Sequence, residues 1–393
     1  MTTIVKAPST PEFLSLVPQL AGFTPRESLA LIPFRRGRSL GLMRIDLPRD
    51  GTDPAEYAAT SIGLACRVRD ADGLAIAIYT DDAFQDGARP RWHDLAQRLR
   101  QRAHDCGLGV HAAVLVASDG WGSYLDGDET ARPLDEIRPP GASMLGADQH
   151  DGLALPPVDL DERRRVEAVF GDLELALGLR RSAFGPAADD AVAGGIGRQD
   201  AKRRAEVGRD AGLEAAGRAG ATWAGQPSVA DLPDVFEDAL SWDPDDLHPA
   251  EAAVLALAFS APLLRDVALT QWSADLATGR RTLDWQLRWV RGARSAPDGP
   301  VRLAGDGARP DPRRLRAALA LARAVATRAP LRALAGTFAA AAWLSWALGN
   351  STHAAWYVER ARETDPDHGL ADIIATMLAA GHLPAWAFER PGA

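Results

Sequence analysis

The feature that most constrains the fold is a predicted helical hairpin at residues 339–366, which read AAAAWLSWALGNSTHAAWYVERARETDP. An apolar segment runs to Gly349 and Asn350, the residue types that most readily adopt the left-handed conformation ending a helix. An apolar stripe with helical spacing then begins at Ala354 and stops before Pro366. Two helices joined by so short a turn pack on each other, so we expect the second half of the chain to be helical.

This hairpin resembles a single tetratricopeptide repeat over about 34 residues, the period of that repeat. The matching positions are the turn glycine, the small and aromatic residues of the first helix, the apolar stripe and the closing acid–proline pair: Gly349, Phe338, Ala342, Ala354, Val358, Ala361, Asp365 and Pro366. Ser345 departs from the pattern, which usually has an aromatic residue there. One period upstream, Leu315 and Thr327 replace the required glycine and alanine. The resemblance therefore implies one hairpin and no peptide-binding superhelix.

The first third of the chain alternates between strand and helix patterns. Three continuous apolar runs are typical of strands covered on both faces, at 28–34, 74–79 and 110–117. A hairpin partner at 40–47 and an edge strand at 121–125 complete a predicted sheet, with amphipathic helices expected at 11–21, 54–69 and 91–106. The order predicts an α/β domain, a mixed sheet with flanking helices and at least one parallel pair of strands.

Helical patterns follow one another from residue 229 onward, at 232–240, 249–259, 263–276, 282–292, 312–327, 331–348, 352–364 and 370–380. Between the two halves, residues 133–157 are rich in Pro and Gly, and residues 184–199 are a Gly/Ala-rich segment expected to be mobile. The predicted organisation is an α/β domain at 1–135, a linker and Gly/Ala-rich helical region at 136–225, and an all-helical, tetratricopeptide-like domain at 226–393.

Charge and cysteine content exclude several classes of protein. The net charge of −9 argues against a general nucleic-acid binder, and all basic residues except Lys6 and Lys202 are arginine. Cys66 and Cys106 provide neither a disulfide framework nor a zinc set, and their helical context predicts buried packing residues. The N-terminus has no basic region followed by an apolar run, and the longest apolar stretch is short for a membrane span. We expect a cytoplasmic protein that does not bind membranes.

Several motifs together resemble one protein family. They are the run PEFLSLVPQLAGFTPRESLALIPF with its GF-x-P-x-x-SL segment from Gly22 to Leu29, then RIDLP, YTD, GWGSY and LPAW further along the chain. The chain is similar over most of its length to an actinobacterial domain-of-unknown-function family, number 4192. That family has no established activity, so the resemblance implies no mechanism. Family members carry cysteines after the GWGSY strand; Asp126, Asp128 and Glu129 replace them here, which leaves no thiol role at that place.

The only side chains that suggest a catalytic or metal site are acids at the predicted strand ends. Asp46 ends the second strand, Asp81 and Asp82 follow the third, and Asp119 follows the fourth. Ligands bind beyond the carboxyl ends of strands in open α/β sheets, where converging carboxylates can hold Mg²⁺. Aspartate also favours turns and helix caps for local reasons, and Asp46 would lie at the opposite edge if its strand ran antiparallel. These acids could form a cation site, or they could simply cap turns and helices, and the second role is favoured. No cofactor other than such a cation is expected.

Histidine and tryptophan patterns indicate structure more than chemistry. Three histidines are near one another in sequence: His93, His104 and His111. The first two are three helical turns apart, so they cannot bind the same metal ion. Three tryptophans are expected in the helical core rather than in a ligand site: Trp272, Trp285 and Trp289.

Three classes of function remain. A non-enzymatic protein-binding adaptor or regulator would use the helical domain as a docking surface, which the hairpin and the missing catalytic motifs favour. A metal-dependent enzyme acting on a small molecule or phosphate ester would use the strand-end acids. A homo-oligomeric assembly component would use the tryptophan-rich helices. The expected partner is therefore another protein or a second copy of the chain.

Overall fold

The computed structural model describes residues 9–86, 89–126, 130–137, 148–176, 228–292 and 301–389. The segment at 184–199 that was expected to be mobile lies outside the described residues, as do Asp128 and Glu129. Two compact units make up the chain, one from the residues up to Gly152 together with those from Phe388 onward, the other from Leu153 to Ala387. The domain limits at residues 135 and 225 stay a prediction.

The first unit is a mixed sheet with flanking helices. Its strands are β1 Ser28–Arg35, β2 Arg38–Ser39, β3 Met43–Asp46, β4 Gly73–Tyr79, β5 Gln85–Asp86, β6 Arg89–Pro90, β7 Gly109–Val116 and β8 Trp121–Ser123. Its helices are α1 Thr10–Ala21, α2 Pro54–Cys66 and α3 His93–Asp105. The sheet order is β2-β1-β4-β7-β8, with β3 also paired to β1, while β5 and β6 pair separately. Strands β4 and β7 are parallel and the other pairs are antiparallel.

Alternate residues of the central strands enter two different cores, which explains their continuous apolar runs. Leu29 and Ile76 belong to a core that includes residues of α2 and α3. Their neighbours Ala30 and Ala75 belong to a second core that includes Leu14 of α1. Because side chains alternate across a strand, a sheet covered on both faces needs apolar residues at every position. The predicted α/β fold of this unit is confirmed.

Two details of the first unit differ from the sequence-based expectation. Of the strand predicted at 40–47, only β3, Met43–Asp46, is formed, and β2 lies before it. Gly41, between β2 and β3, has φ 136°, which an extended strand does not accommodate. The cysteines were expected to be buried, and that prediction is wrong: Cys66 and Cys106 are both exposed. Cys66 ends α2 and Cys106 directly follows α3, so both come after the last buried residues of these helices, Ala65 and Ala103.

The second unit is helical. Its helices are α4 Leu160–Ala176, α5 Leu232–Ala239, α6 Pro249–Ser260, α7 Pro262–Trp272, α8 Leu276–Val290, α9 Pro312–Arg328, α10 Leu331–Ala347, α11 Ser351–Thr364 and α12 Gly369–Ala379. Helix α10 is buried over most of its length and contacts α6, α9, α11 and α12. The indoles of Trp343 and Trp346 are fully buried there and donate to the carbonyls of Leu303 and His382, at 2.9 and 2.8 Å. An all-helical region after the sheet is therefore confirmed.

Helices α10 and α11 form the hairpin that was predicted at residues 339–366. Gly349 has φ 84°, and the side chain of Asn350 accepts a hydrogen bond from the backbone N–H of His353 at 3.2 Å, which caps α11. The helices pack closely along their lengths. Its likeness to a tetratricopeptide repeat stays a prediction.

Two expectations about the helical unit are corrected. The helix expected at 263–276 ends at Trp272, because Asp275 caps the next helix by accepting the N–H of Thr278 at 2.7 Å. Trp272 is fully buried, as expected, but Trp289 near the end of α8 is 42% exposed and does not belong to the core.

No single helix in the described ranges is long and apolar enough to cross a membrane. Helices α6 and α7 meet that length and composition test only as a pair, with a bend of 106° between them.

Candidate functional site

The sheet topology brings all four predicted strand-end acids to one edge. Strands β4 and β7 run parallel, so Asp81 and Asp119 follow them on the same side of the sheet. In β1, which is antiparallel to both β3 and β4, Ser28 pairs with Tyr79 of β4 and with Asp46 of β3. Because β3 and β4 are both antiparallel to β1, they run in the same direction, and Asp46 at the end of β3 lies at this edge as well. We call this region the polar edge.

Each acid of the polar edge already has a partner. The Asp81 carboxylate accepts two hydrogen bonds from Arg26, from Nε at 3.2 Å and from Nη2 at 2.6 Å. The other pairs are Asp46 with Arg44 at 2.7 Å, Asp82 with Arg91 at 2.8 Å, and Asp119 with the backbone N–H of Phe84 at 2.7 Å. In the described part of the chain, no three His, Cys, Asp or Glu side chains are grouped as metal ligands. The cation site stays a prediction that this pairing does not favour.

The residue that organises the polar edge, Glu27, was not identified from the sequence. Its φ is 42°, a left-handed conformation that is uncommon outside glycine. Its carboxylate accepts the Thr80 hydroxyl at 2.9 Å and the Asp81 N–H at 2.5 Å, which joins the start of β1 to the end of β4. The Gln149 amide bonds both the N–H and the carbonyl of Arg26, at 3.1 and 3.0 Å. Neither contact has a periodic signal in the sequence, because each joins residues far apart in the chain.

The hydroxyl groups at this edge are held in the same network. Ser28 is fully buried, donates to the carbonyl of Arg26 at 2.5 Å and accepts from Arg44 at 2.8 Å. Tyr57 donates to the carbonyl of Asp46 at 2.7 Å, and burial raises the pKa of its phenol. A serine that donates to a carbonyl has no general base at its oxygen, so this geometry does not prepare a nucleophile.

The three histidines that are near one another in sequence lie apart in the fold, in agreement with the expectation that they form no metal site. The His93 ring lies at the start of α3, 6.3 Å from the Tyr124 ring and 2.8 Å from Gln97. His111 on β7 makes an edge contact with Phe34, with ring centroids 5.5 Å apart. His104 lines a different feature, an open cleft beside α3.

This cleft has a volume of about 500 Å³ and lies between α3 and the start of β7. Leu95 and Leu99 of α3 are buried in the core. Polar side chains on an adjacent face of the same helix recur at helical spacing and line the cleft. The lining residues are Gln97, Arg100, Gln101, His104, Leu108, Gly109, Val110 and Leu125. Among the described lining residues, the only permanent charge is the guanidinium of Arg100, whose Nη1 donates to the carbonyl of Tyr124 at 2.9 Å.

The floor of the cleft is the first half of β7. Strand β8 pairs only with Val114, Leu115 and Val116, and the N–H of Tyr124 adds one bond to the carbonyl of Ala113 at 2.8 Å. Among the described residues, no strand pairs with 109–112 on the side away from β4. Gly109 and His111 are exposed, in contrast to the buried second half of the strand. The sequence did not predict this opening, because residues 110–117 are apolar apart from His111.

Comparison with known proteins places the chain in a family without assigning it an activity. No curated protein and no solved structure matches it. A family model described as "Domain of unknown function (DUF4192)" matches residues 11–302, which include the whole sheet, the polar edge and the cleft. The hairpin at 339–366 is outside the match, so the tetratricopeptide likeness has no support from it. Because the match covers well over half of the chain, the protein belongs to this family of unknown function.

Proposed function

We propose that the protein is a non-enzymatic protein-binding adaptor or regulator, and that it accepts an extended peptide as an added strand beside β7. The observation that carries the proposal is the edge at residues 109–112, which has no partner strand among the described residues and opens into the cleft beside α3. An open strand edge presents unpaired N–H and C=O groups, which pair with another extended chain.

The edge is preorganised for such binding. On its other side β7 pairs with β4 from Gly109 opposite Gly73 to Val116 opposite Tyr79, with a one-residue bulge at His111. The backbone that would receive the peptide is therefore already ordered, so binding does not require the receiving strand to lose conformational freedom.

The lining of the cleft indicates the chemistry of the peptide. Leu108, Val110 and Leu125 form an apolar part, whereas Arg100 and His104 face the space from α3. None of the described residues that line the cleft is an acid. Because side chains alternate along a strand, a peptide with alternating apolar and acidic residues would match both parts. The proposed partner is a protein segment of that composition.

The other predicted functions are less well supported. The docking surface expected on the helical domain would involve α10, but the tryptophans of that helix are buried in its own core. The metal-dependent enzyme would need free carboxylates at the polar edge, where each acid has an arginine or N–H partner. Copies of the chain could also pair with each other through the open edge of β7. Light scattering distinguishes this outcome from peptide binding because it measures the mass of the assembly.

The test uses a fluorescent peptide of about eight residues with alternating valine and glutamate, and the same peptide with lysine or glutamine in place of glutamate. We expect the glutamate peptide to bind and the lysine peptide not to bind, measured by fluorescence anisotropy. Arg100→Glu should weaken binding by about tenfold or more, since it replaces attraction by repulsion. Arg100→Gln keeps a donor for the Tyr124 carbonyl and should also weaken binding.

The matched control is Arg98→Glu, which makes the same change on an exposed residue of the same helix outside the cleft. It should leave affinity nearly unchanged. Equal binding of the lysine and glutamate peptides, no binding of any peptide, or equal losses in the two charge reversals would refute the proposed site.

A further inference from the structure

The two cysteines of the chain are 40 residues apart in sequence but adjacent in the fold. Cys66 is the last residue of α2, and Cys106 directly follows α3. These two helices pack against each other. Both cysteines are exposed. Strands β4 and β7, which follow the two helices, pair in parallel with Gly73 opposite Gly109, so the C-terminal ends of α2 and α3 lie at the same end of the sheet. Cys106 is close enough to raise the pKa of the Cys66 thiol. The chain has only these two cysteines.

The positions of the cysteines leave room for the small movement that a covalent bond requires. Cys106 is the C-cap of α3, and Gly107 after it has φ 77°, the usual left-handed end of a helix. Helix ends fray and have fewer fixed hydrogen bonds than helix interiors, so the two sulfur atoms can approach without disturbing the core.

We propose that Cys66 and Cys106 are a reversible oxidation site that forms an intramolecular disulfide when the protein reacts with a hydroperoxide. The thiolate of one cysteine attacks the peroxide, the O–O bond breaks, and a sulfenic acid and one water or alcohol are produced. The second sulfur then attacks the sulfenic sulfur, an S–S bond forms, and the hydroxyl group leaves as water with the remaining thiol proton. The peroxide is reduced by two electrons, and the two thiols are oxidised.

Either sulfur can react with the peroxide first, and the other then resolves the sulfenic acid. Partial burial of its sulfur, and then the adjacent Cys106, raise the pKa of the Cys66 thiol to about 11, while Arg102 acts in the opposite direction. Because the thiolate is the reactive form of cysteine, the reaction should be faster at higher pH.

The experiment treats the reduced full-length protein with hydrogen peroxide, alkylates the remaining thiols and maps the peptides by mass spectrometry without reduction. The expected result is loss of both free thiols and a peptide pair joined through Cys66 and Cys106, reversed by dithiothreitol. Cys66→Ser should keep a sulfenic acid on Cys106 that dimedone labels, and Cys106→Ser should keep one on Cys66.

Three results would overturn the proposal: both thiols remain free under peroxide, the bond joins two molecules instead of one, or oxidation proceeds to sulfinic acid without a cross-link.

Discussion

Replacing Gly336 by alanine tests how closely α10 approaches α6. A Cβ added at Gly336 would lie 2.3 Å from the carbonyl oxygen of Phe259, 2.8 Å from its carbonyl carbon and 2.9 Å from Cα of Ser260. Ordinary contacts begin near 3.4 Å, so the two helices would have to separate by about 1 Å. All three clashing atoms are backbone, which cannot rotate away as a side chain can.

The expected free energy follows from two opposing effects. Alanine is more favourable than glycine inside a helix by about 1 kcal/mol, whereas overpacking a well-packed core costs about 1–3 kcal/mol. The clash here is with a fixed backbone next to fully buried Phe259, so we place the cost at the upper end. Gly336→Ala should therefore lower the free energy of unfolding by about 2 kcal/mol.

The control is Gly171→Ala on α4, in the same unit, where a Cβ would meet no atom within 4 Å. It should raise the free energy of unfolding by about 0.5–1 kcal/mol, because only the helix preference changes. Urea unfolding followed by circular dichroism measures both variants against the parent. The packing argument fails if Gly336→Ala is as stable as the parent or shifts in the same direction as Gly171→Ala.

Three further predictions concern a cap, an ion pair and a turn. Burial, and then Arg265, lower the pKa of His368, which accepts a backbone N–H at the start of α12. The neutral ring of His368 therefore stabilises the fold above its unfolded pKa of about 6.5, and this stabilisation is lost as the pH falls. On acidification, the melting temperature of His368→Asn should fall by less than that of the parent. Asp81→Asn should leave the melting temperature near the parental value, since the pair with Arg26 is half exposed; a Mg²⁺-dependent rise in the parent that the variant lacks would support the cation site instead. Gly349→Val should cost about 1–3 kcal/mol in chemical unfolding because φ is 84°, and an unchanged stability would contradict the turn.

Local patterns in the sequence were sufficient for the elements themselves. Strands β1, β4 and β7 were found because a sheet covered on both faces requires continuous apolar runs. The ends of α1 and α10 were found from their caps, Ser9 and Gly349. Errors occurred where a single residue interrupts a pattern. Gly41 lies within the strand predicted at 40–47, which begins only at Met43, and Asp275 starts a new helix.

The candidate sites depended on contacts that a sequence does not encode locally. The edge where the acids meet follows from strand order, so Asp81 and Asp119 could be placed together. Their arginine partners could not be predicted, because Arg26 and Asp81 are 55 residues apart. The cleft beside α3 exists because β8 is shorter than β7, and the end of pairing has no signature in the apolar run of β7.

The most direct test of the proposed peptide site is hydrogen–deuterium exchange on the full chain, with and without the valine–glutamate peptide at saturation. Binding beside β7 predicts slower exchange of the amides at 109–113 and in the facing part of α3, because an added strand supplies hydrogen bonds to the open edge. The amides of β1, which is paired on both sides, should not change. Protection confined to the helices of the second unit, or none in 109–113, would contradict the proposal.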